Sequence, residues 1–244
     1  MTWKTHVVGG LQAGLLLSGI LGEDAASTAV IVSCTALGSV LPDIDHAGSK
    51  LSRSDGLIGL ISGFLSKITK HRGFTHTIPG ALVIAASFYV VAVFKTERES
   101  MIAFFAALAV FLALHVTGDA VRWLAGWIAS GIYLFGPQVI SLITEQGIDF
   151  GLNTHSAVLC FVGIFTGCIM HDIYDSFNKG GIPWFWPVSN KNIRLMSIKT
   201  NTAGEGLFAA VQTLILIVIS AGFFRDVLLR ETGVDLINEL VSLI

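Results

Sequence analysis

Long apolar runs broken by short polar stretches dominate the chain. They fall at roughly 5–21, 26–42, 76–94, 101–118, 122–143, 154–171 and 204–223. A transmembrane helix needs ~20 mostly apolar residues, so the pattern predicts an all-α, polytopic transmembrane helical bundle of about six or seven spans. The connections leave no room for a separate soluble domain, and residues 1–244 read as a single integral membrane domain. The first run is short and glycine-rich. The fifth carries Gly126, Gly131 and Gly136 before Pro137, which predicts a kinked or re-entrant segment.

Two further stretches are amphipathic. Between the second and third runs, Leu57, Ile61, Phe64, Leu65 and Ile68 recur at helical spacing while Ser62, Ser66 and Lys70 fall on the other side. That is the mark of a helix lying in the membrane interface, within a loop of residues 43–75. Residues 225–244 mix apolar positions with Asp226, Arg230, Glu231, Asp235 and Glu239, and predict a C-terminal surface helix.

Composition fits the same class: 53% of residues are hydrophobic and 13% charged, about half the charged share of an ordinary soluble domain. The net charge of −2 offers no basic surface for nucleic acid. Cys34, Cys160 and Cys168 lie inside apolar runs without metal-type spacing and read as reduced core residues. No cleavable signal peptide is evident ahead of the first run. With seven spans, eleven lysines and arginines fall on one face and four on the other. The positive-inside rule then places the N-terminus and the long loops 43–75 and 172–203 in the cytoplasm, as in a multi-pass protein of the bacterial inner (cytoplasmic) membrane.

On that topology His6, His46, His71, His76, His115 and His171 lie at or beside the cytoplasmic span ends, and His155 alone lies opposite. Asp43, Asp45, Asp119, Asp172 and Asp175 close spans on the same side. Ionisable groups at such positions are costly unless they pair, reach water or bind an ion. In Leu-Pro-Asp-Ile-Asp-His (41–46), Pro42 ends the helix and an irregular turn lets Asp43 and Asp45 address one cation; solvated loop carboxylates are the bland alternative. In His-Arg-Gly-Phe-Thr-His-Thr (71–77), His71 and His76 can share an ion, and Arg72 can hold a phosphate oxygen or snorkel to anionic headgroups. His171 and Asp175 are four apart and share one helix face; so do His115 and Asp119, for which a plain packing hydrogen bond serves equally well. The Gly-Gly-Ile-Pro-Trp-Phe-Trp-Pro stretch that follows cannot be helical throughout, and its aromatics suit the headgroup layer.

Together these motifs resemble the YdjM family of bacterial inner-membrane proteins, regarded as metal-dependent hydrolases. The matching residues are Thr5-His6, Leu41 to Asp45, His71 to His76, and His171 with Asp175 ahead of Gly181-Ile182 and Pro187. The resemblance implies a metal site built from His6, Asp43, Asp45, His71, His76, His171 and Asp175. It has no counterpart for His115 and Asp119.

Histidine and carboxylate donors without cysteine suit Zn²⁺, Mn²⁺ or Fe, and seven ligands exceed the need of one ion with an open position, which points to two ions. Such centres activate water and stabilise a phosphoryl transition state. The expected activity is hydrolysis of a lipid or other amphiphile, foremost a phosphoester, at the cytoplasmic face, with Arg72 holding developing charge and Asp172 or Asp119 as general base. Two readings from other classes stand beside it: a membrane scaffold with a structural ion, and a divalent-cation transporter. Ligands gathered at one rim rather than the midplane disfavour transport.

Overall fold

The computed structural model describes residues 1–46, 60, 62–64, 67, 73–93, 100, 102–107, 110–111, 119–145 and 154–232, with the side chains of residues 25, 119–123, 143–144, 154, 227–228 and 230–232 left aside. Its elements are helices α1 (Trp3–Leu21), α2 (Ala25–Gly38), α3 (Ile78–Val93), α4 (Asp119–Thr144), α5 (Thr154–Ser176) and α6 (Ala203–Thr232), with 3₁₀ turns at Leu41–Asp45 and Phe74–His76. Residues 102–107 are helical as well, and no strand longer than an isolated bridge occurs among the described residues.

Among the described residues, three helices are long and apolar enough to cross a membrane: Leu124–Leu142, His155–Ser176 and Ala203–Asp226. The all-helical expectation holds, whereas six or seven full spans are not what the described helices supply. Helices α2 and α3 have 14 and 16 residues. At 1.5 Å per residue they reach only about 21–24 Å, against a hydrocarbon core of ~30 Å. The missing length follows from their sequence. Pro42 diverts the chain after α2 into the Leu41–Asp45 turn, and α3 starts only after the Phe74–His76 turn. Both motif-bearing turns therefore sit against the helices instead of being carried out into a loop.

Helix α5 is central and packs on α1, α2 and α3, while α6 packs on α1. Lipid is as apolar as leucine, so close backbone approach replaces the hydrophobic effect as the force between such helices. A Cβ on Gly38 would lie 2.9 Å from the Ile164 Cα, and one on Gly167 would lie 2.7 Å from the Ser39 amide nitrogen. Ile31, Cys34, Leu37, Ile164 and Cys168 fill the seam. All three cysteines are free and buried, as the sequence predicts.

Helix α4 continues through Pro137. Another element differs from expectation. Residues 225–232 continue α6 instead of starting a surface helix, and 233–244 lie outside the described residues. Of the 56–70 amphipathic stretch, the described positions 60, 62–64 and 67 are helical. Of these, Ser62 is buried and donates to the Ile44 carbonyl at 2.8 Å, while Leu60 and Phe64 stay exposed. Ser62 thus fastens this stretch to the Asp43–Asp45 turn.

Candidate metal centre

Three histidines from distant segments meet at one end of the bundle. His6 comes from the first turn of α1, His76 from the 3₁₀ turn before α3, and His171 from the last turns of α5; all are buried. His6 stacks on His171 with ring centroids 3.9 Å apart, and His76 meets His171 edge-on at 5.0 Å.

The hydrogen bonds made by Nδ1 fix which nitrogen of each ring carries the proton. His171 Nδ1 lies 2.8 Å from the Ser39 carbonyl, which can only accept, so Nδ1 carries the proton. Thr75 donates its hydroxyl to Asp45 Oδ2 at 2.6 Å, leaving Thr75 Oγ1 to accept from His76 Nδ1 at 3.1 Å. Both Nε2 atoms then present lone pairs, and they face each other at 3.2 Å. Asp43 Oδ1 completes the triangle, 3.6 Å from His76 Nε2 and 3.8 Å from His171 Nε2. Two lone pairs and a carboxylate at such distances repel one another unless a metal ion or an added proton lies between them. Nitrogen ligands ~2.0–2.1 Å from a tetrahedral ion are about 3.3 Å apart, so the donor set fits a divalent ion with little movement.

Asp43 is the open side of this triangle, with a quarter of its side chain exposed. Burial works against its charge, but the imidazoles of His171, His76 and His6, when protonated in place of binding a metal ion, outweigh that and hold its carboxyl well below the usual carboxylate range.

A second group forms from His6, His171 and Asp175, with His6 Nε2 3.4 Å from Asp175 Oδ1. His171 has one free nitrogen and serves one ion at a time. A second ion would therefore rely on His6, Asp175 and their neighbour Asp172. Both ring nitrogens of His6 and both carboxylate oxygens of Asp172 are buried without a hydrogen bond. Leaving a buried carboxylate bare is expensive, which is what a site shaped for a cation or a moving proton would show. Asp175 is better supported: Asn178 Nδ2 donates to its Oδ1 at 2.8 Å, and the amine of Met1 does likewise at 2.8 Å.

The predicted site residues thus separate. His6, Asp43, His76, His171 and Asp175 converge, and Asp172 lies within electrostatic reach of Asp43 and Asp175. Asp45 does not join Asp43. It faces the Nδ1 side of His76, 3.9 Å away, and belongs to neither donor group among the described residues. A 3₁₀ turn has three residues per turn, so positions two apart point about 120° away from each other. His71, Arg72 and His115 lie outside the described residues, and so does the side chain of Asp119. His46 is exposed. His155 pairs with Glu23 at 3.2 Å at the other end of α5, apart from the cluster as its sequence position predicts.

Several supporting residues carry no sequence signal of their own. Thr75 and Ser39 orient the two histidines. Tyr174 donates to Gln12 Oε1 at 3.3 Å between α5 and α1. Buried Glu205 at the start of α6 accepts from the backbone amides of Thr2 and Asn201, the latter at 2.7 Å, and so ties α6 to the helix that carries His6.

The model of the YdjM inner membrane protein family matches residues 1–139 and 123–230 of this chain. The chain belongs to the YdjM family. Its membrane character accords with that family's description and with its apolar helices. The chain is also 28% identical over 159 residues to the uncharacterized protein YvsG of Bacillus subtilis (strain 168), a match covering 65% of this chain and 88% of that one. No solved structure matches this YdjM-family chain with significance.

Proposed function

We propose that this YdjM-family protein is a metal-dependent hydrolase acting on a lipid or other amphiphile, foremost a phosphoester, at the cytoplasmic face of the bacterial inner membrane. The observation that carries the reading is the triangle of His76 Nε2, His171 Nε2 and Asp43 Oδ1, three donor atoms of metal-ligand type that lie within 3.8 Å of one another. A two-histidine, one-carboxylate set leaves further positions on a divalent ion open, as catalytic centres require. A bound Zn²⁺ or Mn²⁺ would supply Lewis acidity and an activated water there.

The chain's own groups supply the rest. His76 and His171 hold the ion through nitrogens whose tautomers are set by Thr75 and Ser39. Asp43, at the opening, completes the set next to where substrate would enter. Asp172, buried and without a hydrogen bond, is suited to take a proton as general base. Arg72, four residues before His76, would hold negative charge on the headgroup. The whole chain forms one membrane domain, with the N-terminus and the loops 43–75 and 172–203 in the cytoplasm.

Turnover of lipid phosphates by the purified protein with added Zn²⁺ or Mn²⁺ tests the reading. His76→Ala and Asp43→Ala should each lose activity at least a hundredfold. Undiminished turnover in both would remove the assignment. The complete burial of His76 and His171 favours one second reading, a structural ion in a membrane scaffold. It predicts bound metal with no exchangeable water.

A further inference from the structure

The segment that joins α5 to α6 is folded and yet apolar on its outside. Its backbone is pinned at several points. Ile182 and Ile193 exchange hydrogen bonds of 3.2 and 2.9 Å, and the amides of Leu195 and Ile198 each bond at 2.8 Å to the carbonyls of Ser176 and Phe177. Gly181 adopts the left-handed conformation at φ +62°, where a Cβ would meet the Ile193 carbonyl oxygen at 2.5 Å. Held in this shape, the segment leaves Phe185 55%, Leu195 59% and Val188 93% exposed. An unstructured loop could fold such residues away, but this one holds them outward.

The charge on the same segment is one-sided. Residues 177–202 contain Lys179, Lys191, Arg194 and Lys199 and no aspartate or glutamate, and all four cations are exposed. Outward apolar side chains among cations, on a loop joining the ends of two membrane-length helices, match a surface that is apolar beneath and anionic on top. We infer that residues 183–196 form a docking surface for anionic phospholipid, with Phe185, Val188 and Leu195 among the upper acyl chains and Lys191 and Arg194 at the headgroups.

The surface is coupled to the histidine cluster. Trp184 Nε1 donates to Ser176 Oγ at 2.7 Å, the Ile78 amide donates to the Trp184 carbonyl at 3.3 Å, and Trp186 meets Phe74 edge-on at 5.8 Å. Anionic headgroups held there would gather beside the turn that carries His76. This inference does not depend on hydrolysis, since it concerns lipid contact alone.

The test uses the full chain in nanodiscs, labelled through Val188→Cys with a polarity-sensitive dye; the native cysteines are buried and stay unlabelled. Brominated phosphatidylglycerol should quench the dye more strongly than brominated phosphatidylcholine at the same mole fraction. Lys191→Gln with Arg194→Gln should make the two lipids equal while quenching by both persists, because each cation near an anionic surface contributes about fivefold to lipid preference. Equal quenching by the two lipids in the unaltered background would overturn the anionic preference. Quenching by aqueous iodide instead of either lipid would overturn the docking surface itself.

Discussion

His76 Nε2 and His171 Nε2 face each other at 3.2 Å, each with its ring's opposite nitrogen engaged by an oxygen. Neither ring can rotate its proton into the gap without giving up a buried hydrogen bond, so the arrangement is strained without a cation and relieved by one. It draws together residues 95 positions apart in sequence, and the helices that position them must pack closely for the gap to exist.

The His76 half of this arrangement depends on Thr75. Replacing Thr75 with valine keeps the shape and removes the hydroxyl that links Asp45 to His76 Nδ1. Partners of this kind typically hold 10–100-fold in metal affinity. Thr75→Val should lower Zn²⁺ affinity by about that factor while Thr75→Ser restores most of it, as read by calorimetric titration of the detergent-solubilised protein. Asp45→Asn should weaken binding less than Asp43→Asn, because Asp45 acts through Thr75 and Asp43 acts directly. The reverse order would return Asp45 to the ligand set.

Because His171 offers one free nitrogen, metal titration should show one tight equivalent per chain. His171→Ala should abolish it, and His6→Ala should retain it at reduced affinity, having lost only the stacked ring. Two tight equivalents, or one that disappears in His6→Ala but survives in His171→Ala, would shift the centre to the His6–Asp175 side.

Periodicity and motif spacing place the helices and most of the cluster. The 76–94 run matches α3, and the i, i+4 spacing of His171 and Asp175 puts both on the inner face of α5. Asp43 and Asp45 were not separable in the same way, since two carboxylates in an Asp-x-Asp pair look alike until the turn type sets their directions. Ser39 was not legible at all. It acts through its carbonyl, and every residue has one. The shortness of α2 and α3 was hidden for a related reason: Leu41, Pro42 and Ile44 continue the apolar run but belong to a 3₁₀ turn.

Asp43 makes the acid response of the metal-stripped chain predictable. Its carboxyl lies below the ordinary range despite burial, because the surrounding imidazoles, when protonated in the absence of metal, favour its charge. A group with a depressed folded-state pKa gives stability that is present above its unfolded value and lost as pH falls through the folded one. Melting temperature in the presence of chelator should therefore fall as pH drops below about 4, and Asp43→Asn should flatten that part of the profile. Parallel profiles for the two proteins would mean the imidazoles do not favour the charge as described.

Packing between α2 and α5 should reach the metal through one backbone unit. A Cβ at Gly167 would press on the Gly38–Ser39 backbone, lying 2.8 Å from the Gly38 carbonyl carbon and 2.7 Å from the Ser39 amide nitrogen. None of these atoms belongs to a flexible side chain, so the helices must move apart, and overpacking of this kind costs about 1–3 kcal/mol. The Ser39 carbonyl would shift with them, loosening its 2.8 Å bond to His171 Nδ1. Gly167→Ala should therefore lower both thermal stability and Zn²⁺ affinity, although it removes no ligand. Gly206→Ala on α6, where a Cβ meets nothing within 4 Å, should change neither. If Gly167→Ala lost stability but kept full metal affinity, the ion would not need His171 held as the structure holds it.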